Sequence, residues 1–223
     1  MNERTSRHVE QGFTLMEIMV ALAIVALLFT SLFAVFDQSM DVADQVKSTS
    51  SMDQNARLIL RQIANDLDSL YIPQERGQHF DFQGQSPELE FMVDKSTVLE
   101  FTTSAGLDFN ATFPSRSLFR VSYILAPISD MESRRFSLLR SQALVSGNGT
   151  VAETRTSLQL AKTVTDLQLT FLDPEQIDPA QSWNMDELVQ ETQPPPAGVR
   201  ITLVLSGPSG REEPFELTRS LRE

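Results

Sequence analysis

Residues Ile18 to Phe36 form an apolar run of about 19 residues without a charge, long enough to cross a bilayer as one helix. No other stretch restricts the fold as much, because such a run must end up in lipid or in protein. Its leading edge carries a glutamate, Glu17, within the order Gly12-Phe13-Thr14-Leu15-Met16-Glu17. A charge inside a span costs about 2.5–3.5 kcal/mol on insertion scales, so it calls for a partner. A cleavable secretory signal has a shorter apolar core and then a small-x-small site, and Ala34-Val35-Phe36 supplies none. A plain signal anchor gives no reason for the hexapeptide.

The hexapeptide and its junction with the apolar run resemble the type III signal of the type IV pilin and pseudopilin superfamily. That resemblance implies that a dedicated prepilin peptidase cuts between Gly12 and Phe13 and that the new amino terminus at Phe13 is methylated. Glu17, then the fifth residue, would serve assembly. The expected organisation is a leader over 1–12, the transmembrane half of a long helix over 13–36, its periplasmic half over 37–72, and a β-rich head over 73–223. Leaders of this kind commonly carry a basic residue just before the glycine, and Val9-Glu10-Gln11-Gly12 departs from that pattern.

Charge narrows the class further. A net charge of −12 argues against nucleic-acid binding, which needs basic patches. Arg4 and Arg7 precede the span, whereas Asp37, Asp41 and Asp44 follow it, so the amino end should stay cytoplasmic and the head should be periplasmic. The chain has no cysteine, so the head must hold together by packing alone. The lack of a disulfide leans toward secretion pseudopilins over type IV pilins, many of which close a loop with one.

The helix should continue beyond the membrane. No proline or glycine interrupts Asp37 to Tyr71, and Ala56, Ile59, Leu60, Ile63, Leu67 and Leu70 recur at spacings of three and four. Arg57, Arg61, Asn65, Asp66 and Asp68 fall at the other positions, Lys47 to Ser51 is polar all round, and Pro73 should end the helix. Strands are expected at Leu89–Val93, Val98–Thr102, Phe119–Ile124, Phe136–Arg140, Val164–Leu172, Val199–Leu205 and Phe215–Leu221. Antiparallel pairing follows, because few helix-length connections separate them. Asp173 to Pro196 reads as a long acidic loop closed by three prolines, with Trp183 either a core lid or a partner contact. It lacks the regular acidic spacing and turn glycine of a calcium loop. The fold class is therefore α+β and pilin-like: a long amino-terminal helix, first transmembrane and then amphipathic, packed on an antiparallel sheet.

Chemistry-bearing groups are scarce. His79 is the head's single histidine, and Gly207-x-Ser209-Gly210 is not a nucleophile elbow. No catalytic set, metal site, cofactor or small-molecule substrate is expected. In the head, Leu99-Glu100-Phe101-Thr102, Arg120-Val121-Ser122-Tyr123, Phe136 to Arg140, Val164 to Asp173, Trp183 and Pro196 to Leu203 are similar to the type II secretion minor pseudopilin J family. That similarity implies a subunit at the tip of a short pseudopilus, joined to minor pseudopilins I and K. With the apolar face of its helix buried against strands, the isolated head is expected to be monomeric. The alternatives are a W-type minor pilin and, from another class, a membrane-tethered periplasmic binding or hydrolytic domain.

Overall fold

The computed structural model describes residues 14–72, 82–108, 113, 117–128, 134–146, 149–172, 180–184, 196–207 and 210–221. Helix α1 runs from Leu15 to Asp68. The chain divides into two compact units, Met1–Lys47 and Ser48–Glu223, and α1 begins in the first and ends in the second.

In the first unit, the described residues of α1 are exposed throughout. Leu15, Met16, Leu22, Leu27, Phe29, Leu32 and Phe33 all present their side chains outward. An apolar surface on every side of a helix is the mark of a segment built to lie in lipid or among other helices. Its hydroxyls are satisfied internally. Thr30 Oγ1 donates to the Ala26 carbonyl at 2.9 Å, Ser31 Oγ to Leu27 at 2.8 Å, and Ser39 Oγ to Val35 at 2.8 Å. None therefore needs water, which hydrocarbon does not supply.

In the second unit, the head, α1 buries Met52, Ala56, Ile59, Ile63, Ala64, Asp66 and Leu67. Three of these were not expected from the apolar spacing, and Leu60 and Leu70 are only partly buried. The helix also stops earlier than Tyr71. Leu70 forms an isolated bridge to Thr103, and the Tyr71 N–H donates to the Thr102 carbonyl at 2.9 Å, so sheet pairing ends the helix before Pro73 is reached.

Among the described residues the head forms one eight-stranded sheet: β1 Phe82–Gln85, β2 Ser96–Thr103, β3 Leu118–Pro127, β4 Phe136–Val145, β5 Val151–Leu172, β6 Ser182–Asn184, β7 Gly198–Ser206 and β8 Glu212–Ser220. The spatial order is β6-β1-β2-β3-β4-β5-β7-β8, and every pairing is antiparallel. Strand β5 serves two neighbours in succession. Its first half pairs with β4, from Val151↔Val145 to Val164↔Phe136. Its second half pairs with β7, from Val164↔Leu205 to Leu172↔Gly198. Register shifts on both sides of Val164 break the ladder there, and such bulges bend a sheet.

That bend brings the far edge back toward β5. Ser86 Oγ donates to the Leu169 carbonyl and accepts from the Leu169 N–H, each at 2.8 Å. Phe171 packs edge-on against Phe82 with ring centroids 6.1 Å apart, and lies 6.4 Å from Trp183. Trp183 is thus a core residue, 8% exposed, and it sits in β6 instead of an irregular loop. The expected strand at Leu89–Val93 is a short 3-10 helix, Leu89–Phe91. Residues 173–179 and 185–195 of the acidic segment, and His79, lie outside the described residues.

Candidate functional site

The sequence motif places three residues at the start of α1. Gly12 and Phe13 lie outside the described residues. Glu17 is exposed in the first turn of the helix. Helix α1 is the one described helix long and apolar enough to cross a membrane, which makes its first half a single-pass anchor by length and composition. The stem therefore presents a carboxylate at its tip and, behind it, small residues such as Ala21 and Ala23 along an apolar cylinder. Small residues permit close approach of a second helix where lipid gives no hydrophobic drive.

In the head the most demanding arrangement is a buried ion pair. Asp66 is 0% and Arg140 1% exposed. Arg140 Nε donates to Asp66 Oδ2 at 2.7 Å, and Arg140 Nη2 to Oδ1 at 3.1 Å, a two-pronged clamp. Tyr123 Oη donates to Oδ2 at 2.6 Å and Gln62 Nε2 to Oδ1 at 2.8 Å. The remaining guanidinium donors reach the Gln142 side chain at 2.6 Å and the Ala105 carbonyl at 3.0 Å. Gln142 in turn brackets Leu107, accepting from its N–H at 2.9 Å and donating to its carbonyl at 2.7 Å. The network ties α1 to β3, β4 and the segment after β2. Burial, and then the Asp66 carboxylate, holds the Tyr123 phenol well above its ordinary value.

The amphipathic reading had set Asp66 off the apolar face, and the structure corrects it. The signal was available: Asp66 follows Ile63 by three and Ile59 by seven, both same-face spacings, and Arg140 shares strand parity with Phe136 and Leu138. Those spacings place each residue on a buried face, but a lone charge there reads as unfavourable until its counter-charge is seen, and the partners lie 74 residues apart.

What the head does not gather is equally informative. Among the described residues, no three His, Cys, Asp or Glu side chains come together as a metal site would require. An open groove of about 380 Å³ lies beside α1, lined by Ser48, Met52, Asn55, Gln159, Lys162 and Ser206 among others. Hydroxyls and amides share that lining with Met52, Ile59, Leu160 and Leu205, and Lys162 is its one charged side chain among the described residues.

A stem that is apolar all round, a glutamate at its start and a sheet packed on its second half define a pilin-like protein. The prokaryotic N-terminal methylation motif matches residues 7–33. The model of type II secretion system protein J matches residues 34–213, so the chain belongs to that family, the minor pseudopilins J. No curated protein matches the chain. The family consists of structural components of a secretion system, not enzymes, and its members interact with other pseudopilins.

Proposed function

We propose that this pseudopilin acts at the tip of the type II secretion pseudopilus, where it joins minor pseudopilins I and K and helps start assembly and export across the outer membrane. The match over residues 34–213 carries the reading, because it covers the head and not merely the signal shared across the superfamily. Prepilin peptidase removes residues 1–12 by cutting Gly12–Phe13, and Phe13 is then methylated. The stem stays in the inner membrane with its amino end cytoplasmic, and the head faces the periplasm.

Glu17 pairs with the amino group of a neighbouring subunit's Phe13, which accounts for a carboxylate at the edge of an apolar span. With no catalytic set expected from its sequence, the head works by surface contact. Every buried apolar side chain among the described residues lies within Ser48–Glu223, so this fragment carries the whole described core. Mixing it with purified heads of I and K and measuring mass by light scattering tests the reading. A stable complex supports it, and its absence at tens of micromolar favours the W-type pilin instead.

A further inference from the structure

The first bonds of α1 have a defined form. Leu15 is the first helical residue and Thr14 stands immediately before it. The Thr14 carbonyl accepts from the Ile18 N–H at 3.3 Å, closing the first turn, and from the Glu17 N–H at 3.1 Å. The Thr14 hydroxyl oxygen also accepts from the Glu17 N–H, at 3.3 Å. This is the bonding of an N-cap, in which a side-chain oxygen takes up one of the N–H groups that the helix leaves without a partner. Thr14-Leu15-Met16-Glu17 also has the Thr-x-x-Glu order of a capping box, and Phe13 and Ile18 occupy the sequence positions of a hydrophobic staple. At a membrane boundary such a cap counts for more than in water, because an unsatisfied N–H in hydrocarbon costs several kcal/mol.

We propose that Thr14 is a positioning residue for removal of the leader: its hydroxyl fixes the start of α1 two residues beyond the Gly12–Phe13 bond. The proposal rests on the reading of Gly12–Phe13 as the bond that is cut. A peptidase needs its target bond outside a helix and at a constant distance from the span that delivers it. Without the cap, the helix start frays or shifts, and the bond loses that constant distance. Valine has nearly the shape of threonine without the hydroxyl, whereas serine keeps the hydroxyl and loses only a methyl group. The pair therefore separates hydrogen bonding from shape.

The test uses the full-length, uncut chain in detergent micelles as wild type, Thr14→Val and Thr14→Ser. Amide hydrogen exchange is read at residues 15–18 without peptidase, and leader removal is then followed with peptidase added. Thr14→Val should raise exchange at the Glu17 amide by at least about fivefold, the effect of losing one cap in water, and lower kcat/KM for cutting by a similar factor. Thr14→Ser should keep both near wild type. Unchanged exchange in Thr14→Val overturns the cap, and raised exchange with wild-type cutting overturns the positioning role. Equal slowing by both variants assigns the effect to shape and overturns the role of the hydroxyl. Wild-type chain that is cut elsewhere, or not at all, counts against the scissile-bond reading itself and removes the proposal with it.

Discussion

Asp66 and Arg140 form the most deeply buried ion pair among the described residues. Removing two charges from water costs several kcal/mol each, and their attraction offsets this only when the geometry is good and the remaining donors and acceptors are satisfied. Both conditions hold here, since the carboxylate accepts from Arg140, Tyr123 and Gln62 and the guanidinium also reaches Gln142 and Ala105. Arg140→Met should then destabilise the head by about 3–5 kcal/mol, because it strands a buried carboxylate. Denaturant unfolding of the Ser48–Glu223 fragment measures this, and a loss under 1 kcal/mol would show that water reaches Asp66. Tyr123 adds a pH dependence of fixed sign. Its folded value lies above the unfolded 10.0, so its contribution is complete below pH 10 and is lost as pH rises from there toward the folded value. Tyr123→Phe should flatten that alkaline decline in a pH series of melting curves. At the other end of the chain, the proposed cut at Gly12–Phe13 requires the peptidase to approach the backbone there, so a bulky Gly12→Val should leave the leader uncut, as amino-terminal sequencing would reveal.

At the scale of elements, α1 was the most legible part of the chain, since an unbroken apolar run and then a spacing of three and four leave little else possible. Strands with clear alternation, such as Phe119–Ile124 and Val199–Leu205, also emerged as strands of the sheet. Elements held by tertiary contact did not. Strand β1, Phe82–Gln85, has two glutamines and a glycine, and it exists because it is flanked by β2 and β6. The first half of β5 is polar and mostly exposed, and pairing with β4 gives it its form. Trp183 was read within a loop because acidic and proline-rich residues surround it. At the candidate site the motif singles out Glu17, which lies exposed in the first turn of α1, whereas the Asp66–Arg140 pair stayed hidden because its two partners lie far apart in sequence. One position in β7 is set by neighbouring backbone. A Cβ on Gly198 would lie 2.6 Å from the Arg219 carbonyl oxygen, closer than carbon and oxygen can approach. Gly198→Ala should therefore push β8 away from β7 and raise amide exchange along Glu212–Ser220, while exchange in β3 stays as it was.

For the whole molecule, the division of labour between stem and head sets what a single substitution can disturb. The stem's described residues are exposed and contribute no side chain to the head's core, so a change at Glu17 leaves that core intact. Glu17→Val also makes the span more apolar, which favours insertion. The one interaction it removes is the proposed pairing with a neighbouring Phe13 amine, and in lipid the remaining apolar contacts give little drive of their own. The variant should therefore be inserted, cut and folded, yet be poorly recruited to the tip and poorly able to support secretion. Membrane fractionation, amino-terminal sequencing and a secretion assay in a strain lacking the wild-type subunit would separate these stages. Full secretion by Glu17→Val would reject an essential pairing at this position. Loss of insertion or cutting would instead move the role of Glu17 to an earlier step than assembly.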